Sequence, residues 1–75
     1  MTGLPVMSGK ELIKILVKDG FVVKRQKGSH VRLFKVTPQK TIKITLPLHN
    51  EIDRDTLISI LNSAEISKKE FLDLI

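Results

Sequence analysis

Residues 21–46 read FVVKRQKGSHVRLFKVTPQKTIKITL, and along this stretch the apolar residues recur with a period of two. Phe21-Val22-Val23 opens a first strand, Val31 and Leu33 alternate in a second, and Ile42, Ile44 and Leu46 alternate in a third. Gly28 and the segment Thr37-Pro38-Gln39-Lys40 punctuate the strands as turns, so the expected unit is an antiparallel meander. If Val31, Leu33, Ile42 and Ile44 face a core, alternation sends His30, Arg32 and Phe34 to the opposite face with Thr41, Lys43 and Thr45. One face of the sheet is then oily and the other basic.

Working outward, the periodicity changes to helical on both sides. Over residues 7–20, Ser8 and Glu11 form a capping box and Met7 is placed to staple onto Leu12. Leu12, Ile13, Ile15, Leu16 and Val17 supply the apolar face, and Gly20 sits where a left-handed cap ends a helix. Beyond the meander, Asp53 is a good N-cap, with Ile52 and Leu57 as its staple and Leu57, Ile60, Leu61 and Ala64 at helical spacing. Ser67 and Glu70 repeat the capping box before a short last helix over Lys68–Leu74, whose Phe71, Leu72 and Leu74 are expected to cover the core. The fold class is therefore α+β: an α-β-β-β-α order, with helices packed on one face of a three-stranded antiparallel sheet and the other face free for a ligand.

The 75 residues, read as a single domain over 1–75, have a thin core and no room for a second one. There is no cysteine, which excludes disulfide staples and thiolate zinc sites and points to the cytoplasm. No basic start followed by an apolar run marks a leader, and no stretch approaches the roughly 20 apolar residues of a membrane span, so no membrane association is expected. The net charge of +5 is unevenly spread. Residues 20–50 hold seven cations (Lys24, Arg25, Lys27, Arg32, Lys35, Lys40 and Lys43) and no acid, whereas residues 51–75 hold six acids against three bases. A polyanion would meet the basic middle.

Two histidines, His30 and His49, are the only side chains whose ordinary pKa, near 6.5, lets a group both take and give a proton at neutral pH. In the run Arg25-Gln26-Lys27-Gly28-Ser29-His30, Gly28 lets the backbone approach a phosphate, the cations attract it and Ser29 offers a hydroxyl. RNA strand scission needs no metal if a base takes the ribose 2′-OH proton and cations stabilise the charged transition state, and His30 is the candidate for that base. A Gly-Ser-His turn is also ordinary hairpin chemistry, and seven cations also suit a solvated sheet face. His49 fits a loop as readily as a second proton-transfer role, and Phe34 fits an edge packing position as readily as a base-stacking one. No metal-ligand spacing and no phosphate-binding glycine loop before a helix is visible, so neither a metal nor a nucleotide cofactor is expected.

Taken in order, Ser8-Gly9-Lys10-Glu11, Asp19-Gly20-Phe21, Gly28-Ser29-His30, Leu46-Pro47-Leu48-His49, Ile52 and Leu57-Ile58-Ser59-Ile60-Leu61 resemble the HicA (YcfA-like) family of toxins over nearly the whole chain. The resemblance implies a double-stranded-RNA-binding-domain-like fold and an mRNA interferase of a type II toxin–antitoxin module, neutralised by a HicB-type antitoxin that covers its active site. By motif, His30 takes the family's catalytic histidine position and His49 falls on a recurring proline-x-histidine position. The sequence departs from the family pattern in Asp53-Arg54-Asp55, where a proline and a glycine are frequent, and in Glu65, where a glycine often closes the helix. The expected RNA-binding set is Lys24, Arg25, Lys27, Gly28, Ser29, Arg32 and Lys43. A non-catalytic RNA-binding module and a protein domain that docks an acidic partner are the rival readings, and a homodimer is left open.

Overall fold

The computed structural model describes residues 4–75; residues 1–3, the start of the segment read as lacking a leader, lie outside the described residues. The order is α1 (Gly9–Lys18), β1 (Val22–Lys27), β2 (His30–Val36), β3 (Thr41–Pro47), α2 (Arg54–Ser63) and α3 (Lys68–Leu74). The strands form an antiparallel sheet in the order β1-β2-β3, the meander expected. Val31 and Leu33 of β2 and Ile42, Ile44 and Leu46 of β3 are buried with Leu12, Ile15 and Leu16 of α1, Leu57, Ile60 and Leu61 of α2 and Phe71 of α3. Removing each such side chain from water stabilises the fold by about 1.5–3 kcal/mol. The helices therefore cover one sheet face, and His30, Arg32, Thr41, Lys43 and Thr45 stay exposed on the other.

Local chemistry starts and stops the helices as the sequence predicts. The Ser8 side chain accepts from the Glu11 N–H at 3.1 Å while the Ser8 N–H donates to Glu11 Oε1 at 2.9 Å, closing the capping box. Ser67 and Glu70 reproduce the arrangement on α3, and Asp53 accepts from the Thr56 N–H on α2. Gly20, at φ +108°, turns the chain out of α1, and the Phe21 and Gly20 N–H groups close back onto the carbonyls of Leu16 and Val17. Phe21 is thus part of the helix cap and core, and β1 begins one residue later than expected. Val17 is 49% exposed and Leu72 41% exposed, against the expectation that both cover the core. Each is one residue past a buried position, Leu16 or Phe71, and the 100° step of a helix carries it to the rim.

Gly9 joins the helical layer to the exit of β3. A Cβ at this position would lie 2.3 Å from the Pro47 carbonyl oxygen, and the Gly9 N–H donates to the His49 carbonyl at 2.9 Å. Only glycine lets the first turn of α1 sit this close to the strand end that flanks His30.

Candidate nucleic-acid interface

The β1–β2 hairpin gathers most of the candidate residues. Lys27 pairs with His30 across a two-residue turn in which Gly28 has φ +59° and Ser29 has no positive φ, the pattern of a type II′ turn with glycine at its first central position. The Leu48 N–H donates to the Ser29 carbonyl at 2.7 Å, which ties the turn to the chain leaving β3. His30 pairs with Pro47 on the other side, so the histidine stands between the ends of two strands.

A β-bulge decides which cations reach the outer face. Val23 pairs with Leu33 and Arg25 with Arg32, so Lys24 is the extra residue between them. Strict alternation from Val22, which pairs with outward-facing Phe34, would send Arg25 and Lys27 toward the core side. The bulge resets the phase and puts both on the outer face opposite Arg32 and His30, with Cβ atoms of such pairs about 4.5–5.5 Å apart. Arg25, Lys27, His30, Arg32 and Thr45 together line a cleft of about 370 Å³. A second depression of about 220 Å³, lined in part by Lys24, Phe34 and Lys43, continues from it and shares Arg32 and Thr45.

The charge on this face is uncompensated. Of the seven cations in residues 20–50, Lys35 pairs with Asp19 at 2.9 Å and Lys40 pairs with Glu65. Lys24, Arg25, Lys27, Arg32 and Lys43 form no ion pair among the described residues, so the cations lining the two depressions are the ones left unpaired. The His30 side chain is exposed and has no hydrogen-bond partner among the described residues, which leaves its orientation to whatever enters the cleft.

The remaining candidates lie nearby. Gly28 and Ser29 form the turn beside the cleft, and His49 is exposed in the loop after β3, where its backbone carbonyl holds α1; none of the three lines either depression. Thr45 lines both yet stands out in the sequence only as the polar residue facing Arg32 across β2 and β3. Among the described residues, no group of three or more His, Cys, Asp or Glu is placed to hold a metal ion, and no helix is long and apolar enough to cross a membrane.

Fold and face together define a small α+β domain with an open basic sheet surface that carries one histidine. The family model described as the HicA toxin of bacterial toxin–antitoxin systems matches residues 9–66, which span α1, all three strands and α2. The chain belongs to the HicA toxin family; it is the toxin of such a pair, and its partner is a cognate antitoxin. Neither the curated proteins nor the solved structures gave a match.

Proposed function

We propose that the protein is a metal-independent endoribonuclease that cleaves mRNA in the cytoplasm, with His30 as its proton-transfer residue, and that a HicB-type antitoxin silences it by covering the basic face. The observation that carries this reading is the placement of His30 in a cleft whose other walls are Arg25, Lys27 and Arg32, all without a carboxylate partner. A phosphodiester drawn in by these cations would lie against the imidazole. His30 takes the 2′-OH proton, the 2′ oxygen forms a bond to phosphorus and the P–O5′ bond breaks, while the cations stabilise the charge that builds on the non-bridging oxygens. The leaving 5′ oxygen needs a proton in turn. Lys27, opposite His30 in the cleft, or solvent is a better source than His49, which does not line it. Ser29 and the Gly28 backbone fix the turn that aims His30, and Lys24 and Lys43 extend the phosphate track.

The rival reading, an RNA-binding module without turnover, draws on the lack of any group that orients the imidazole. The experiment compares wild type and His30→Ala on a mixed-sequence mRNA with EDTA present. Cleavage by the wild type should fall by about 100-fold or more in the variant, as expected for losing a general acid–base group, while RNA affinity and thermal stability stay close to wild type. Normal cleavage by His30→Ala would overturn the role of His30, and binding without cleavage by either protein would establish the module instead.

A further inference from the structure

The protein has three aromatic residues, all phenylalanine. Phe21 and Phe71 are core residues, 2% and 0% exposed, whereas Phe34 lies outside the core on the solvent side of β2 and is half-buried. On that face it pairs with Val22 on one side and Lys43 on the other, and it lines the second depression together with Lys24, Arg32 and Lys43. The depression thus brings an aromatic ring together with three cations that have no carboxylate partner, Lys24, Arg32 and Lys43. Neither a purely apolar ligand nor a bare phosphate uses both features. A nucleotide does, because it carries a flat ring and an anion side by side.

We propose that this depression is a base subsite, in which Phe34 stacks one unpaired base of the RNA strand whose phosphate lies at His30. The proposal rests on the RNA reading above and adds a substrate class to it: single-stranded RNA. Arg32 and Thr45 line both depressions, so one strand can run from the cleft to Phe34 without leaving the basic surface. His30 and Phe34 are four residues apart on the same face of one strand, about 13 Å at the rise of a β-strand. The stacked base therefore lies beyond the nucleotide at the cleft. In an A-form duplex the base faces are stacked on one another, and a protein meets only edges, 2′-hydroxyls and phosphates. A ring face is open to Phe34 only when the base is unpaired, and stacking of this kind is tolerant of sequence.

The test uses the full chain with His30→Ala so that the RNA stays intact, and single-stranded oligonucleotides carrying 2-aminopurine at one position at a time. Binding should quench the fluorophore most strongly at one position set apart from the scissile phosphate. A uniform, weak response along the strand would overturn the proposal, and this readout needs no change at position 34. Phe34→Leu added to the same protein should lower affinity for the single strand by about tenfold, leave affinity for a blunt duplex unchanged and remove the position-specific quenching. Phe34→Tyr should restore both the single-strand affinity and the quenching. Equal loss for single strand and duplex, or no loss at all, would overturn the stacking role. If the His30→Ala protein and the wild type both bind no RNA, the endoribonuclease reading falls with the proposal, whereas RNA binding indifferent to Phe34 overturns the subsite alone.

Discussion

Glu65 is the one non-glycine residue with a positive φ, +59°, among the described residues. It ends α2: the N–H groups of Glu65 and Ile66 close onto the carbonyls of Asn62 and Leu61, and the chain reverses toward α3. A side chain in this conformation costs roughly 1 kcal/mol relative to glycine, and the exposed ion pair with Lys40 offsets little of that. Glu65→Gly should therefore raise unfolding stability by about 0.5–1 kcal/mol, read as an upward shift of the thermal or urea midpoint, with RNA affinity unchanged because the residue lines neither depression. An unchanged or lowered midpoint would mean that the Lys40 contact outweighs the backbone strain. This position was legible in the sequence through the resemblance alone, because a glycine often closes the helix there in the family. Gly9 was not. The quartet Ser8-Gly9-Lys10-Glu11 announces a cap, but the approach of Pro47 that requires glycine there is a contact between segments far apart in the chain.

At the scale of elements, the caps were readable and the strands only in part. All three N-caps close with a partner three residues on, a spacing visible in the sequence, and two of them give stability a pH dependence. Hydrogen bonds from the Thr56 hydroxyl and N–H hold the Asp53 carboxyl below its ordinary pKa, and bonds donated by the Ser67 N–H and hydroxyl do the same for Glu70. Each folded-state pKa lies below its unfolded value, so the added stability is complete above the ordinary carboxylate range. It is lost as pH falls through that range and then through the lower folded values. The urea midpoint should drop on acidification, and it should drop less in the double variant Asp53→Asn, Glu70→Gln, which keeps neutral capping groups in place. An identical acid loss in the double variant would assign the effect to other carboxylates. In the sheet, burial alternates along β3 as Ile42, Ile44 and Leu46 predict, and along β2 from His30 to Leu33, beyond which Phe34 and Lys35 are both half-buried. The β1 bulge left no such signal, because Lys24, Arg25, Gln26 and Lys27 are all polar and a phase change among them alters no apolar pattern.

For the whole molecule, the sequence showed a basic middle and an acidic end but not how the two meet. The fold uses Asp19 and Glu65 to neutralise Lys35 and Lys40 and leaves the outward cations of β1, β2 and β3 bare. The site is thus built from one continuous run of strands, while the helices supply the core beneath it. Within that run the support is uneven. None of the six residues of β1 is buried, and the strand is held by its ladder to β2, with no strand on its other edge among the described residues. Stability should be distributed accordingly, with the amides of β2 and β3 that face each other exchanging with solvent only on near-global unfolding and those of β1 exchanging through a cheaper local opening. Uniform protection across the sheet would show that β1 is held as firmly as the rest. Lys24, Arg25 and Lys27 then ride on the least supported strand of the sheet, and a bound polyanion bridging β1 and β2 would hold it against its neighbour. Part of the intrinsic binding free energy would go into suppressing the local opening of β1, and the bound state would be stiffer than the free one.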